Sequence, residues 1–227
     1  MNTDLQVWAE DMRLLAWLHV HERSRETLLE LAAGGFPEGL VMGAGVEAAA
    51  MREGLSALAA TPDAGVADDD LAADFTAIYL THACRVSPCE SVWRDEDKLA
   101  WQGPTFAVRE WYARYGLSVG DWRVLSDDHM SYQLEFVAHL LEKNETEAAA
   151  RFMDAHLLTF LPDFCTQIAE RAATSFYSSL ATLTLVTVTA LRKQLPDVEP
   201  ELQQTSPAKD FVAPVNFVAR ETWLSMS

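Results

Sequence analysis

From Phe176 to Leu195 the chain runs for twenty residues without a glycine or a proline. That is longer than ordinary strands and well suited to a helix. Within it, Thr182-Leu183-Thr184-Leu185-Val186-Thr187-Val188-Thr189 alternates polar and apolar positions and is rich in β-branched residues, which is a strand signature. A strand needs a partner, because an unpaired one leaves its backbone N–H and C=O groups unsatisfied. No other segment offers one, so the stretch is predicted to be helical, and with it the fold class is all-α. The uncharged part of the run, Thr174 to Leu191, is slightly short for a membrane span and crowded with Ser and Thr. It is predicted to be a buried helix, with no stable membrane insertion.

The other segments read as further helices. Leu5, Trp8, Met12, Leu15 and Leu18 recur at helical spacing between Leu5 and Arg23. A short helix over Glu26 to Ala33 stops at Gly34-Gly35, and Phe36-Pro37 makes a turn. Ala44 to Ala60 is Ala-rich and ends at Thr61-Pro62-Asp63-Ala64-Gly65. Asp68-Asp69-Asp70 is expected to begin the next helix, where the macrodipole favours negative charge, and that helix should run through Phe75, Ile78 and Tyr79. His82 to Trp101 is the least periodic stretch, expected to be an ordered loop with one turn of helix. Gly103-Pro104 opens a helix that Tyr115-Gly116 closes. Ser126-Asp127-Asp128 is expected to cap a helix over His129 to Lys143, Glu145 to Leu158 comes next, and Pro162 restarts or kinks the path. Pro196, Pro200, Pro207 and Pro214 punctuate the C-terminal residues. The expected organisation is a single-domain helical bundle over residues 1–195 and an irregular C-terminal tail over residues 196–227.

Charge narrows the partners. Lys and Arg number 17 against 34 Asp and Glu, a formal net charge of -17. Such a surface repels nucleic acid and anionic lipid and favours a basic partner. Three cysteines, Cys84, Cys89 and Cys165, show no disulfide framework spacing, which fits a reducing cytoplasm. The opening residues lack a basic region followed by an apolar one, so no secretion signal is expected. His82, Cys84 and Cys89 could ligate a metal, but zinc sites prefer paired Cys ligands with a second pair at a distance, and none is present. Glu135 and His139 share a helix face with Asp128 and Tyr132, without the repeated Glu-x-x-His of di-iron bundles. There is no Walker A loop, no Gly-x-Gly-x-x-Gly and no Gly-x-Ser-x-Gly. Neither cofactor nor metal is expected. A nucleotide- or metal-dependent enzyme on a helical bundle is the alternative reading, and a helical adaptor the blander one.

Two segments stand out. The first, Pro88-Cys89-Glu90-Ser91-Val92-Trp93, comes after a helix ending in Asp74-Phe75-Thr76-Ala77-Ile78-Tyr79. The second is Ser126-Asp127-Asp128-His129-Met130. In this order the chain resembles the TorD/DmsD-like family of redox-enzyme maturation chaperones. Ile78-Tyr79 takes the place of that family's apolar-aromatic pair. Pro88, Ser91, Val92 and Trp93 match its Pro-aromatic-x-Ser-Val-aromatic pattern, with Cys89 at a usually aromatic position. Asp128-His129 match its Asp-His at a helix start, with Ser126 in place of the usual Pro. The segments from Gly103 through Val108-Arg109-Glu110-Trp111-Tyr112 to Leu117, and from Phe152 to Phe176, also look like the family. The resemblance implies a cytoplasmic, non-enzymatic chaperone, monomer or homodimer. It would bind the twin-arginine signal peptide and the apo form of a molybdenum-containing oxidoreductase until the enzyme is assembled.

Physical chemistry agrees with part of this. Asp127 and Asp128, if they sit at a helix N-terminus, are held ionised by backbone N–H groups and the dipole. One is expected to cap the helix and the other to meet an arginine, whose fork matches a carboxylate bidentately. Tyr79, Trp93 and Phe75 offer aromatic area, with core packing the expected role of Phe75. His129 can change charge near neutral pH or simply cap the helix. The expected peptide-binding residues are Tyr79, Pro88, Ser91, Val92, Trp93, Asp127, Asp128 and His129.

Overall fold

The computed structural model of the chain describes residues 3–81, 86–94, 99, 103–120, 125–199 and 215–216. Among these, the regular structure is helical: α1 (Thr3–Val20), α2 (Arg25–Ala33), α3 (Val46–Ala60), α4 (Ala64–Phe75), α5 (Glu90–Arg94), α6 (Gly103–Arg114), α7 (Met130–Glu142), α8 (Thr146–Ala155), α9 (Leu161–Arg171) and α10 (Ser175–Gln194). A single two-residue parallel ladder, β1 (Leu117–Ser118) on β2 (Val215–Asn216), is the extent of sheet among the described residues. The fold is all-α, as the long glycine-free run requires. Most of the tail and the segments 82–85, 95–98 and 100–102, with His82, Cys84 and Trp101, lie outside the described residues.

Thr182–Thr189 is helical within α10. Two of its threonine hydroxyls find partners inside the helix. Thr187 Oγ1 donates to Leu183 O at 2.7 Å, and Thr182 Oγ1 donates to Ser179 O at 3.0 Å. Back-bonding to the preceding turn removes the polar penalty that alternation alone would suggest.

By its contacts the chain forms two compact units. The first draws on Met1–Ala16, Cys89–Phe160 and Gln194–Met226. Its central helix is α7, where Met130, Leu134, Phe136, Val137, Leu140 and Leu141 are all buried. A helix apolar on nearly every side belongs inside. Phe136 packs edge-on to Phe152 at 4.7 Å and to Tyr112 at 4.9 Å between ring centres. Arg13 bridges α1 to α7 by bonding Glu142, with Glu135 3.4 Å away. Burial lowers the His139 pKa, and Glu135 is held by Arg13.

The second unit draws on Trp17–Pro88 and Leu161–Lys193. Phe75, Tyr79, Phe164 and Tyr177 form its aromatic core, with Phe75 and Tyr79 rings 4.7 Å apart. Phe75 is thus a core residue. The helix before the first motif starts earlier than the acidic run suggests. Asp63, not Asp68-Asp69-Asp70, caps α4, its Oδ1 accepting from Gly65 N at 2.9 Å and Val66 N at 3.4 Å. Asp68 instead reaches across to α2, where its carboxylate accepts from Arg25 N at 2.6 Å. The charge sits at a helix start, as electrostatics favours, but at the start of a different helix.

Asp74 does the same for α10. Buried near the end of α4, it accepts from Ala173 N at 3.1 Å, Thr174 N at 2.8 Å and Thr174 Oγ1 at 2.7 Å. Asp74→Ala leaves three donors without that acceptor and is expected to lower stability by about 3 kcal/mol. Urea denaturation should show a lower midpoint with an unchanged slope, and an unchanged midpoint would contradict the assigned role.

Candidate functional site

The two sequence segments dock on each other in the first unit. Cys89 and His129 form an isolated antiparallel bridge. Glu90 N donates to Asp128 O at 3.2 Å, and Ser91 N donates to Asp128 Oδ2 at 2.7 Å. Ser126 Oγ donates to the other carboxylate oxygen, Asp128 Oδ1. Asp128 therefore caps α5, not the helix next to it in sequence. That helix, α7, takes its cap from His129, whose Nδ1 accepts from Ser131 N at 3.1 Å. The reason is local: His129 is the residue with extended backbone angles immediately before α7, which is where a capping side chain must sit. The expectation that Ser126-Asp127-Asp128 caps α7 is corrected accordingly. As an acceptor, Nδ1 of His129 carries no proton in this arrangement.

Around this junction lies a buried polar network. The Glu90 side chain is sealed from solvent (0% exposed). It accepts from Gln133 Nε2 at 3.1 Å, from Arg94 Nη1, and lies 3.1 Å from His156 Nδ1. Gln133 Nε2 also donates to Asp128 O at 3.0 Å, which joins this carboxylate to the Asp128 turn. Asp127 meets Arg109 of α6 bidentately, with Nε and Nη2 donating at 3.1 and 2.7 Å. The hydrogen bond to Asp127 raises the Arg109 pKa against the opposing effect of burial. The arginine that meets Asp127 is the chain's own, from α6. Tyr112 donates to Asp127 O at 3.0 Å. Burial first, then the Asp127, Asp128 and Glu90 carboxylates, push its phenol pKa far up.

Of the remaining expected residues, Val92 and Trp93 are half-buried on α5, with Ser91 buried beneath them. On α6, which packs against α5, Phe106 is 53% exposed, and the Arg109 guanidinium lies 5.5 Å from its ring centre. Tyr79 and Pro88 fall in the second unit. Tyr79 is buried in a π-helical turn over Thr76–Leu80, bonded through its hydroxyl to His19 Nδ1, whose Nε2 lies 2.8 Å from Thr184 Oγ1. Burial pushes the Tyr79 phenol pKa far above its ordinary value.

Among the described residues the buried Ser91 hydroxyl has no hydrogen-bond partner, and so no base beside it to activate it. Burial raises the Cys165 thiol pKa, which leaves that sulfur inert. Among the described residues no group of three or more His, Cys, Asp or Glu side chains is arranged to hold a metal ion. Several members of the network were not singled out from the sequence: Glu90, Arg94, Arg109, Gln133 and His156. The i, i+4 charge pair of Glu90 and Arg94 was a readable signal, whereas nothing local marks Gln133 or His156.

Comparison with known proteins places this architecture. The family model described as nitrate reductase delta subunit matches residues 45–166, which include both docked segments, and the chain belongs to that family. Among named relatives, it is 32% identical over 128 residues to Chaperone protein TorD of Vibrio cholerae serotype O1, covering 51% of this chain and 58% of that protein. It is 29% identical over 132 residues to Chaperone protein TorD of Shewanella sp. (strain ANA-3), covering 56% and 63%. It is 26% identical over 108 residues to the Tat proofreading chaperone DmsD of Salmonella typhi, covering 48% and 53%. The matches thus span between half and two thirds of these relatives' lengths, and the relatives are named as chaperones rather than as enzymes.

Removing the hub of the network should be felt throughout it. Glu90→Ala leaves the buried Gln133 amide and His156 ring without their shared acceptor and is expected to lower stability by about 2–4 kcal/mol. Glu147→Ala breaks only the surface pair with Arg151 and should change stability by less than about 0.5 kcal/mol. Parallel urea titrations read both, and equal effects would contradict the assigned hub.

Proposed function

We propose that the chain is a cytoplasmic chaperone that binds the twin-arginine signal peptide of a molybdenum-containing oxidoreductase and keeps the apo enzyme from export until it is assembled. The observation that carries this reading is the docked pair of segments, Cys89–Trp93 on Ser126–Met130, in a chain of the nitrate reductase delta subunit family. The relatives named TorD and DmsD are chaperones, the second a Tat proofreading chaperone, which supports it further. Among the described residues no helix is long and apolar enough to cross a membrane.

The peptide's apolar stretch lies across α5 and α6, on Val92, Trp93 and Phe106, as an amphipathic helix lies on a groove. Ser91, Asp128 and His129 contribute by holding that surface, and Asp127 by offering a carboxylate beside α6. Asp128 fixes α5 through Ser91 N, and His129 caps α7. The surface as placed here does not draw on Tyr79 or Pro88. A net charge of -17 brings a basic peptide in faster and holds it more strongly at low salt.

Titration calorimetry with a synthetic peptide carrying adjacent arginines and an apolar stretch tests the reading. Trp93→Ala and Phe106→Ala should each weaken binding by about 1–2 kcal/mol through lost apolar contact. Asp128→Ala should weaken it as well, by releasing α5, and affinity should fall as salt rises. If the wild-type protein binds no twin-arginine peptide at any salt concentration, the reading is wrong.

A further inference from the structure

Two arginines of the first unit are held in the same way. Arg109 is bidentate on Asp127, and Arg94 is bonded to Glu90 and, through Nη1, to Ala155 O at 3.0 Å. In each pair the arginine side chain is 40% exposed while its carboxylate is sealed, 3% for Asp127 and 0% for Glu90. The guanidinium is thus the group between each carboxylate and solvent. Without its arginine the Glu90 carboxylate keeps Gln133 and His156, while at Asp127 Tyr112 holds the backbone carbonyl in place. Aromatic side chains stand near both: half-buried Trp93 precedes Arg94 on α5, and exposed Phe106 lies under Arg109.

Resting on the peptide-binding reading above, we propose that Arg94 and Arg109 are internal placeholders, and that the two guanidinium groups of an incoming twin-arginine peptide displace them from Glu90 and Asp127. Exchange is the route that buried carboxylates permit. A direct approach to a bare buried carboxylate would first require it to lose its arginine, which is strongly unfavourable. Replacing one guanidinium by another conserves charge and hydrogen-bond geometry throughout. Both placeholder side chains already stand partly in water, so each can swing outward as the peptide's arginine enters. Because exchange makes bonds of the kind it breaks, net affinity comes from the apolar stretch on Trp93 and Phe106. The arginines supply selectivity, since a lysine ammonium cannot reproduce the fork that Asp127 accepts.

Removing a placeholder therefore acts opposite to removing an ordinary contact residue. Arg109→Gln and Arg94→Gln should each bind the synthetic twin-arginine peptide about tenfold tighter than wild type, because the carboxylate no longer has to be vacated. A twin-lysine version of the peptide should bind wild type at least about tenfold more weakly. Circular dichroism confirms that each variant is folded, and Arg109→Lys stands in if Arg109→Gln is not. Its weaker hold on Asp127 should give a smaller tightening, of about threefold. Affinity equal to or weaker than wild type in the folded variants, with wild type binding normally, overturns the exchange alone. No binding by wild type or by any variant overturns the peptide reading and the exchange with it.

Discussion

A helix N-terminus leaves backbone N–H groups with no partner in their own helix, and this fold answers that need with carboxylates sent from other helices. Asp68 of α4 takes Arg25 N at the start of α2. Asp74, also on α4, takes the two N–H groups that precede α10. Asp128, just before α7, takes Ser91 N of α5. In each case one side chain satisfies donors on another element and fixes where that element begins relative to its own. Hydrophobic packing supplies most of the stabilisation but is non-directional. These charge-assisted bonds are directional, and they decide which residues of α5 and α7 face each other.

The proposed peptide surface depends on the third of these caps. α5 has only five residues, of which Glu90 and Ser91 are buried. It stays in place because Asp128 and Glu90 tie it to the Asp128 turn, to Gln133 and to His156. Val92 and Trp93 of this helix are half-buried, and Phe106 on the neighbouring α6 is exposed. Arg94 pairs with the Glu90 carboxylate, and Arg109 with that of Asp127. An acidic composition, an exposed aromatic ring on α6 and carboxylates already holding arginines are the features on which the proposed binding of a basic, partly apolar chain rests.

Much of this was legible in the residue order. Where helices run, and where Gly34 and Gly116 stop them, is set by interactions that reach no further than one turn: i, i+4 hydrogen bonds, apolar periodicity and the freedom of glycine, with Gly116 at φ 70°. The helical state of Thr182–Thr189 was legible too, from the absence of glycine, proline and any partner strand. So were the two motif segments as candidates for a shared site. What the order of residues could not assign was the partner of each acidic side chain. Asp68 and Asp128 both serve helix starts, as their charge suggests, but the N–H groups they serve lie 43 and 37 residues away in sequence. Likewise Asp127 found its arginine 18 residues upstream, and Glu90 found His156 66 residues downstream. Helix formation is decided by neighbours along the chain, and the sequence by itself determined it. The pairing of buried charges depends on which elements pack together, and only the tertiary structure could decide that.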